Sequence, residues 1–303
     1  MYTIKQEPED FQVTEKSTVR TKSSGKYIYF RLWKKDLTTM EALKRLATAW
    51  RVPAGALSYA GNKDRKAITE QTCGAYGITK EKLENTQLQD IKLTFLGYGD
   101  EPVHLGQLEG NQFRITVRNA EKKEIKRKFR NLFGEQRFST NNAEIGKHIV
   151  KREFEQAVKK IVESNPQAAA KIRTHTDKKD WIGALRCIPR KLLLLYIHAY
   201  QSQLWNKAAM RTDKEELPII GFGTEEIDET TQKILNEEKL KLSDFIIREL
   251  PEASTEGATR KVWAEAKQLK ITEEDGKIIL EFFLPKGSYA TEFIRQAFQE
   301  LQK

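Results

Sequence analysis

Apolar residues alternate with polar ones in some stretches of this chain and recur at helical spacing in others, and the two periods predict different elements. Phe11 and Val13 sit between polar neighbours, as in a half-buried strand. Over residues 26–34, Ile28, Phe30 and Leu32 share one side of a second strand, with Tyr27, Tyr29, Arg31 and Trp33 on the other. Thr38-Thr-Met-Glu41 is a capping box that opens a helix carrying Ala42, Leu43, Leu46, Ala47 and Trp50, stopped by Pro53. Ser58, Tyr59 and Ala60 close a short buried strand, and Gly61-Asn62 predicts a tight turn at positive φ. Phe113, Ile115 and Val117 alternate with Gln112, Arg114, Thr116 and Arg118 in a further strand.

Beyond residue 120 helical spacing takes over. Ile125, Phe129 and Leu132 predict a basic amphipathic helix over 120–133. Asn141 or Asn142 can cap the next helix, with Ile145, Ile149, Val158 and Ile161 inward. Residues 167–179 read as a linker or a frayed helix. Pro189 begins a buried helix with Leu193, Ile197, Tyr200 and Leu204 in register. A short apolar strand follows at 218–223, and 277–291 reads as a strand, a Pro-Lys-Gly turn and a helix start.

Composition narrows the classes. A hydrophobic content of 39% is enough for a core, and 303 residues give room for one large domain or two ordinary ones. No apolar run approaches the roughly 20 residues that span a bilayer, and the first residues lack a signal-peptide pattern; a soluble cytoplasmic protein is expected. Cys73 and Cys187 lie far apart, and His104, His148, His175 and His198 show no ligand spacing, so neither a disulfide framework nor a metal site is indicated. A net charge of +10 points to a polyanionic partner.

The candidate chemistry lies in residues 58–71, where Asp64 stands between Lys63 and Arg65. Opposite charge beside a carboxylate favours its ionised form, and an ionised, positioned Asp is a usable nucleophile or base. In an ordinary loop the same residues are a solvated turn. The stretch resembles the Gly-x-Lys-Asp-x-x-Ala-x-Thr-x-Gln signature of the TruD family of tRNA pseudouridine synthases, through Gly61, Lys63, Asp64, Ala67, Thr69 and Gln71. Further segments agree in the same order: Pro8-Glu-Asp-Phe-Gln-Val-Thr-Glu15, Gly110-Asn-Gln-Phe113, Phe133-Gly-Glu-Gln-Arg-Phe138, Tyr196 to Asn206, and Phe282 to Thr291. Ser139 departs from the family's usual Gly.

The resemblance implies an α+β fold: a pseudouridine-synthase catalytic domain with a mixed, largely antiparallel sheet (1–135 and 270–303), interrupted by an α/β TRUD-type insertion domain (136–269). It implies that Asp64 is the catalytic residue, that Lys5 is its cationic partner in preference to Lys63, and that Asn111 helps order the site. By pattern alone Phe113 is a core residue; the resemblance implies that it stacks on the target base. Candidate phosphate contacts are Lys63, Arg65, Lys122, Lys123, Lys126, Arg127 and Arg130. The implied substrate is uridine 13 in the D arm of tRNA, with no cofactor, no membrane, no obligatory protein partner and a monomeric state. Consistently, no Gly-x-x-x-x-Gly-Lys-Ser/Thr or Gly-x-Gly-x-x-Gly loop is present. The rival expectations are a non-catalytic RNA chaperone on the same fold and a metal-dependent nuclease using Asp64.

Overall fold

The alternation around Phe11 and from Ile28 to Leu32 builds two strands, β1 (Phe11–Ser17) and β2 (Tyr27–Lys35). The computed structural model describes residues 2–121 and 124–299. Helix α1 (Thr39–Trp50) starts at the capping box: Thr38 Oγ1 accepts from the Glu41 amide at 3.1 Å, and the Glu41 carboxylate accepts from the Thr38 amide at 2.8 Å. After it come β3 (Leu57–Tyr59), β4 (Ile68–Tyr76), the short α2 (Lys80–Glu84), β5 (Ile91–Gly99) and β6 (Leu108–Val117). The inward stripe of α1 packs on Ile28, Phe30 and Leu32, with Phe30 edge-on to Trp50 at 5.6 Å. Each such side chain contributes about 1.5–3 kcal/mol on burial.

The middle of the chain is mainly helical. It runs through β7 (Lys128–Arg130), α3 (Asn142–Val150), α4 (Phe154–Ser164), α5 (Pro166–Thr176), α6 (Trp181–Arg186), α7 (Arg190–Ala209), β8 (Glu216–Ile219), α8 (Glu229–Glu238), β9 (Ala258–Lys261) and β10 (Trp263–Glu265). The predicted α7 stripe of Leu193, Ile197, Tyr200 and Leu204 is buried to 1% exposure or less. α3 approaches α7 so closely at Gly146 that an added Cβ would lie 2.0 Å from the Tyr196 carbonyl oxygen.

Two expectations fail here. Among the described residues of 120–133 there is no helix, and their one regular element is the short strand β7. A helix would set Lys126 and Arg130 one turn apart as like charges, which is destabilising. The single helix expected from Asn142 onward is α3 and α4, broken at Arg152, which has φ 62. The Arg152 guanidinium donates to the Asp244 and Ile246 carbonyls at 2.6 and 2.7 Å, so a tertiary anchor overrides the local helical pattern. Of the two readings of 167–179, a linker or a frayed helix, the helical one holds: the stretch contains α5, which begins at Pro166 and buries Ala168 and Ile172.

The chain ends with β11 (Lys267–Glu274), β12 (Lys277–Pro285) and α9 (Ala290–Phe298). One eight-stranded sheet results, ordered β11-β12-β6-β1-β4-β2-β5, with β3 added on β4. The β1–β4 pair is parallel and the other pairs of this sheet are antiparallel, which gives the mixed, largely antiparallel α+β fold. Two compact units emerge, one mainly from residues 1–128 and 265–290, the other mainly from 129–264. Directly opposed residues share a face. Lys34, Thr69, Gln71, Val13, Glu15, Asn111, Phe113 and Phe282 therefore all lie on one side of the sheet.

Candidate active site

Between β3 and β4 the chain crosses that face in an irregular segment, residues 60–67. Neither Gly61 nor Asn62 adopts positive φ, so the tight turn expected there is absent. Hydrogen bonds from distant segments shape the segment instead. The Gly106 amide donates to the Ala60 carbonyl at 2.7 Å, and Gln71 Nε2 donates to the Gly61 carbonyl at 3.0 Å. Thr39 Oγ1 accepts from the Lys63 amide at 2.9 Å while donating to Gln71 Oε1 at 2.9 Å. Lys34 Nζ donates to the Asp64 carbonyl at 3.0 Å and also to Leu37 O. Four backbone positions of the segment are thus fixed, at 60, 61, 63 and 64.

With its backbone held, Asp64 presents a carboxylate that is 33% exposed, and Lys5 Nζ lies 2.5 Å from Oδ2. Lys5 has φ 56, in the left-handed region that a residue with a Cβ seldom enters. Such strain persists where the surroundings over-determine it. The ammonium also stands 4.1 Å above the centre of the Phe11 ring, a cation–π contact. A carboxylate aimed by a cation, with part of its surface open, can act as a nucleophile or as a base.

Lys63 turns the other way. Its Nζ pairs with Glu15 Oε2 at 2.6 Å, with side-chain exposures of 7% and 0%. Glu15 Oε1 accepts from the Thr72 amide at 3.1 Å. The expectation that Lys63 contacts RNA phosphates is therefore corrected: its charge is spent inside the protein. Arg130 is corrected likewise. It donates to Ala209 O, to Thr212 O at 2.5 Å and to Asp213 Oδ1 at 3.1 Å, and stacks 4.6 Å over Trp263. Arg65 is 61% exposed and reaches Glu41 at 3.5 Å. Lys126 and Arg127 are exposed on the extended segment. Lys122 and Lys123 lie outside the described residues.

Phe113 occupies β6 with its ring stacked on Phe282 at 5.4 Å and 22°, and edge-on to Phe11 at 6.1 Å. At 7% exposure it offers no open platform, so a base could lie flat on it only if the ring were first uncovered. The Phe113 ring thus joins the Asp64 carboxylate through a chain of contacts by way of Lys5 and Phe11. Asn111 lies opposite Glu15, and its buried Oδ1 has no hydrogen-bond partner.

Gln71 and Glu15 lie in the motif segments without a role legible from sequence, and Lys34 and Thr39 are contributors that the sequence alone does not single out. Lys34 carries one legible sign: it continues the inward stripe of Ile28, Phe30 and Leu32, where a charge is out of place. Among the described residues, no group of three or more His, Cys, Asp or Glu is placed to hold a metal ion, and no helix is long and apolar enough to cross a membrane.

An α+β fold with a mostly antiparallel sheet, carrying a cation-paired aspartate on an irregular segment above one face, agrees with what the pseudouridine-synthase resemblance implies. The family model described as tRNA pseudouridine synthase D (TruD) matches residues 2–175, 168–221 and 216–297. The chain belongs to the TruD family of tRNA pseudouridine synthases, a family of isomerising enzymes. It is similar to the tRNA pseudouridine synthase D of Aquifex aeolicus (28% identical over 97% of each chain). A relative from Nanoarchaeum equitans bearing the same family name is 30% identical over 98% of each chain. The crystal structure of a TruD protein from Methanosarcina mazei superposes with a TM-score of 0.78 at 26% identity, covering 97% of this chain and 93% of that one.

Proposed function

We propose that this protein converts uridine 13 in the D arm of tRNA to pseudouridine, with Asp64 as the reacting carboxylate. The reaction breaks the bond between uracil N1 and ribose C1′, turns the freed base, and joins C5 to C1′. In balance, a proton leaves C5 and one is gained at N1, so neither an electron carrier nor an activated group is consumed. Asp64 either attacks C1′ or removes the C2′ proton to give a glycal. The observation that carries the reading is the Lys5–Asp64 pair at 2.5 Å, on a carboxylate still one-third exposed, in a chain of this family.

The target uridine has to leave its stack, at a cost of a few kcal/mol. In this proposal Asn111 and Phe113 back the pocket that receives it, with the Phe113 ring uncovered as RNA binds. Arg65, Lys126 and Arg127 hold the phosphates, and the second compact unit, a TRUD-type insertion, adds further RNA contacts. The test incubates an unmodified tRNA transcript with the protein in EDTA and maps pseudouridine through its carbodiimide adduct. One adduct, at position 13, is expected with the parent chain, and none with Asp64→Asn or with a cytidine at that position. Absence of the adduct with folded parent protein overturns the proposal, and strand cleavage that EDTA abolishes would make the protein a nuclease.

A further inference from the structure

At the inner end of β2, Lys34 is fully buried, and its register partner across the sheet is Thr69. Removing an ammonium group from water is expensive unless a partner compensates it. Its hydrogen bonds go to the main-chain oxygens of Leu37 and Asp64, neither of which carries a charge. The groups facing it are Asp64 and Lys63 from the loop, Glu41 from α1 and Cys73 from β4. A buried charge bonded to uncharged oxygens contributes little net stability, and the family motifs quoted above give it no role. Its position directly behind the Asp64 backbone accounts for its presence.

We propose that Lys34 is a positioning residue for Asp64: its ammonium group clamps the Asp64 carbonyl to β2, and so aims the carboxylate from behind while Lys5 holds it from the front. This rests on the reading of Asp64 as the reacting group. The two cations divide the task, since Lys5 touches the carboxylate and Lys34 touches the peptide group that carries it.

Burial pulls Lys34 down to about 8, against an upward push from the charges of Asp64 and Glu41 and with a further downward push from Lys63. Burial drives the Cys73 thiol up, out of the same range. Turnover should therefore fall as pH rises through about 8. The sign of the stability effect is opposite. A lysine held below its unfolded value of about 10.4 is bound to a proton more readily in the unfolded chain, so this group adds stability as pH rises between those values. The alkaline loss of turnover is then not unfolding.

The experiment measures kcat, KM and the pH–rate profile of the full chain on unmodified tRNA, for the parent, Lys34→Met and Lys34→Arg. Lys34→Met should lower kcat by about 10- to 100-fold, the size expected of a small misplacement, with KM near the parent value. The alkaline limb should vanish in Lys34→Met and in Lys34→Arg, because a guanidinium stays protonated throughout. Independently of turnover, 13Cε-lysine NMR of the parent, with the Lys34 signal assigned by its loss in Lys34→Arg, should show titration near 8. A folded Lys34→Met with parental kcat overturns the inference while leaving the proposed function intact. If Lys34→Met does not fold, a Lys34 signal titrating only above about 10, the ordinary lysine range, overturns it. A parent chain that makes no pseudouridine overturns the functional reading first, and this inference with it.

Discussion

Replacing Lys63 by Met separates a structural cation from an RNA-binding one. In the structure its ammonium group sits 2.6 Å from Glu15, whose side chain is wholly buried and whose other oxygen accepts from the Thr72 amide. Lys63→Met leaves the Glu15 charge buried and without its counter-ion. Breaking a buried pair from one side costs about 3–5 kcal/mol. For a unit of roughly 150 residues, each kcal/mol moves the midpoint by about 2–4 °C, so the sheet unit should melt about 6–20 °C lower. Glu15→Gln added to Lys63→Met removes the stranded charge and keeps an acceptor for Thr72, so the double variant should recover at least half of the loss. Calorimetry at fixed salt follows the midpoint, and tRNA affinity is measured in parallel across a series of KCl concentrations. Lys63→Met should leave the slope of log affinity against log salt unchanged. The reasoning fails if the midpoint moves by less than about 2 °C while that slope drops by about 0.7–0.9, the loss expected for one phosphate contact.

Replacing both Lys126 and Arg127 by Gln should flatten the same salt slope by about 1.4–1.8 with little change in melting, as gel-shift titration at several salt concentrations would report. Arg130→Ala should do the reverse: it removes charge-assisted bonds to Ala209 and Thr212, each worth about 1.5–3 kcal/mol, and lowers the melting midpoint without altering the slope. In the helical unit, burial pushes the Glu238 carboxyl up, but bonds from Lys147 and Lys207 outweigh it and hold the group at about 2. A depressed carboxyl stabilises fully above its unfolded value and loses that contribution as pH falls toward 2, so Glu238→Gln should reduce the acid dependence of unfolding between about pH 4.5 and 2.

Period-two and helical patterning make β1, β2, α1 and α7 legible, because each carries a regular stripe of buried apolar residues. The capping box at Thr38 works for the same reason: it is satisfied within four consecutive residues. The 120–133 helix and the turn at Gly61-Asn62 are misread because local signals lose to partners far away in the chain. Lys63 adjoins Asp64 in sequence, yet its partner is Glu15, 48 positions earlier. Arg130 belongs to a run of cations, yet its bonds go to Ala209 and Thr212. Composition therefore overstates the basic surface by two of the five named members that are described. Asp64 and Lys5 are legible through motif residues, whereas the holding role of Thr39, Gln71 and Lys34 becomes visible only once three separate elements converge on the segment.

The pairing of β6 with β12 has a consequence for biogenesis. Phe113 meets Phe282 across roughly 170 intervening residues, so a chain emerging from the ribosome completes the aspartate-bearing segment long before β12 is translated. During that interval the outer edge of β6 offers unpaired amides and carbonyls to any neighbouring nascent strand. Closure then waits on a search over a very long loop, which slows maturation and favours chaperone engagement. Truncated products that stop before β12 should consequently be cleared as aggregates rather than accumulate as partial enzymes.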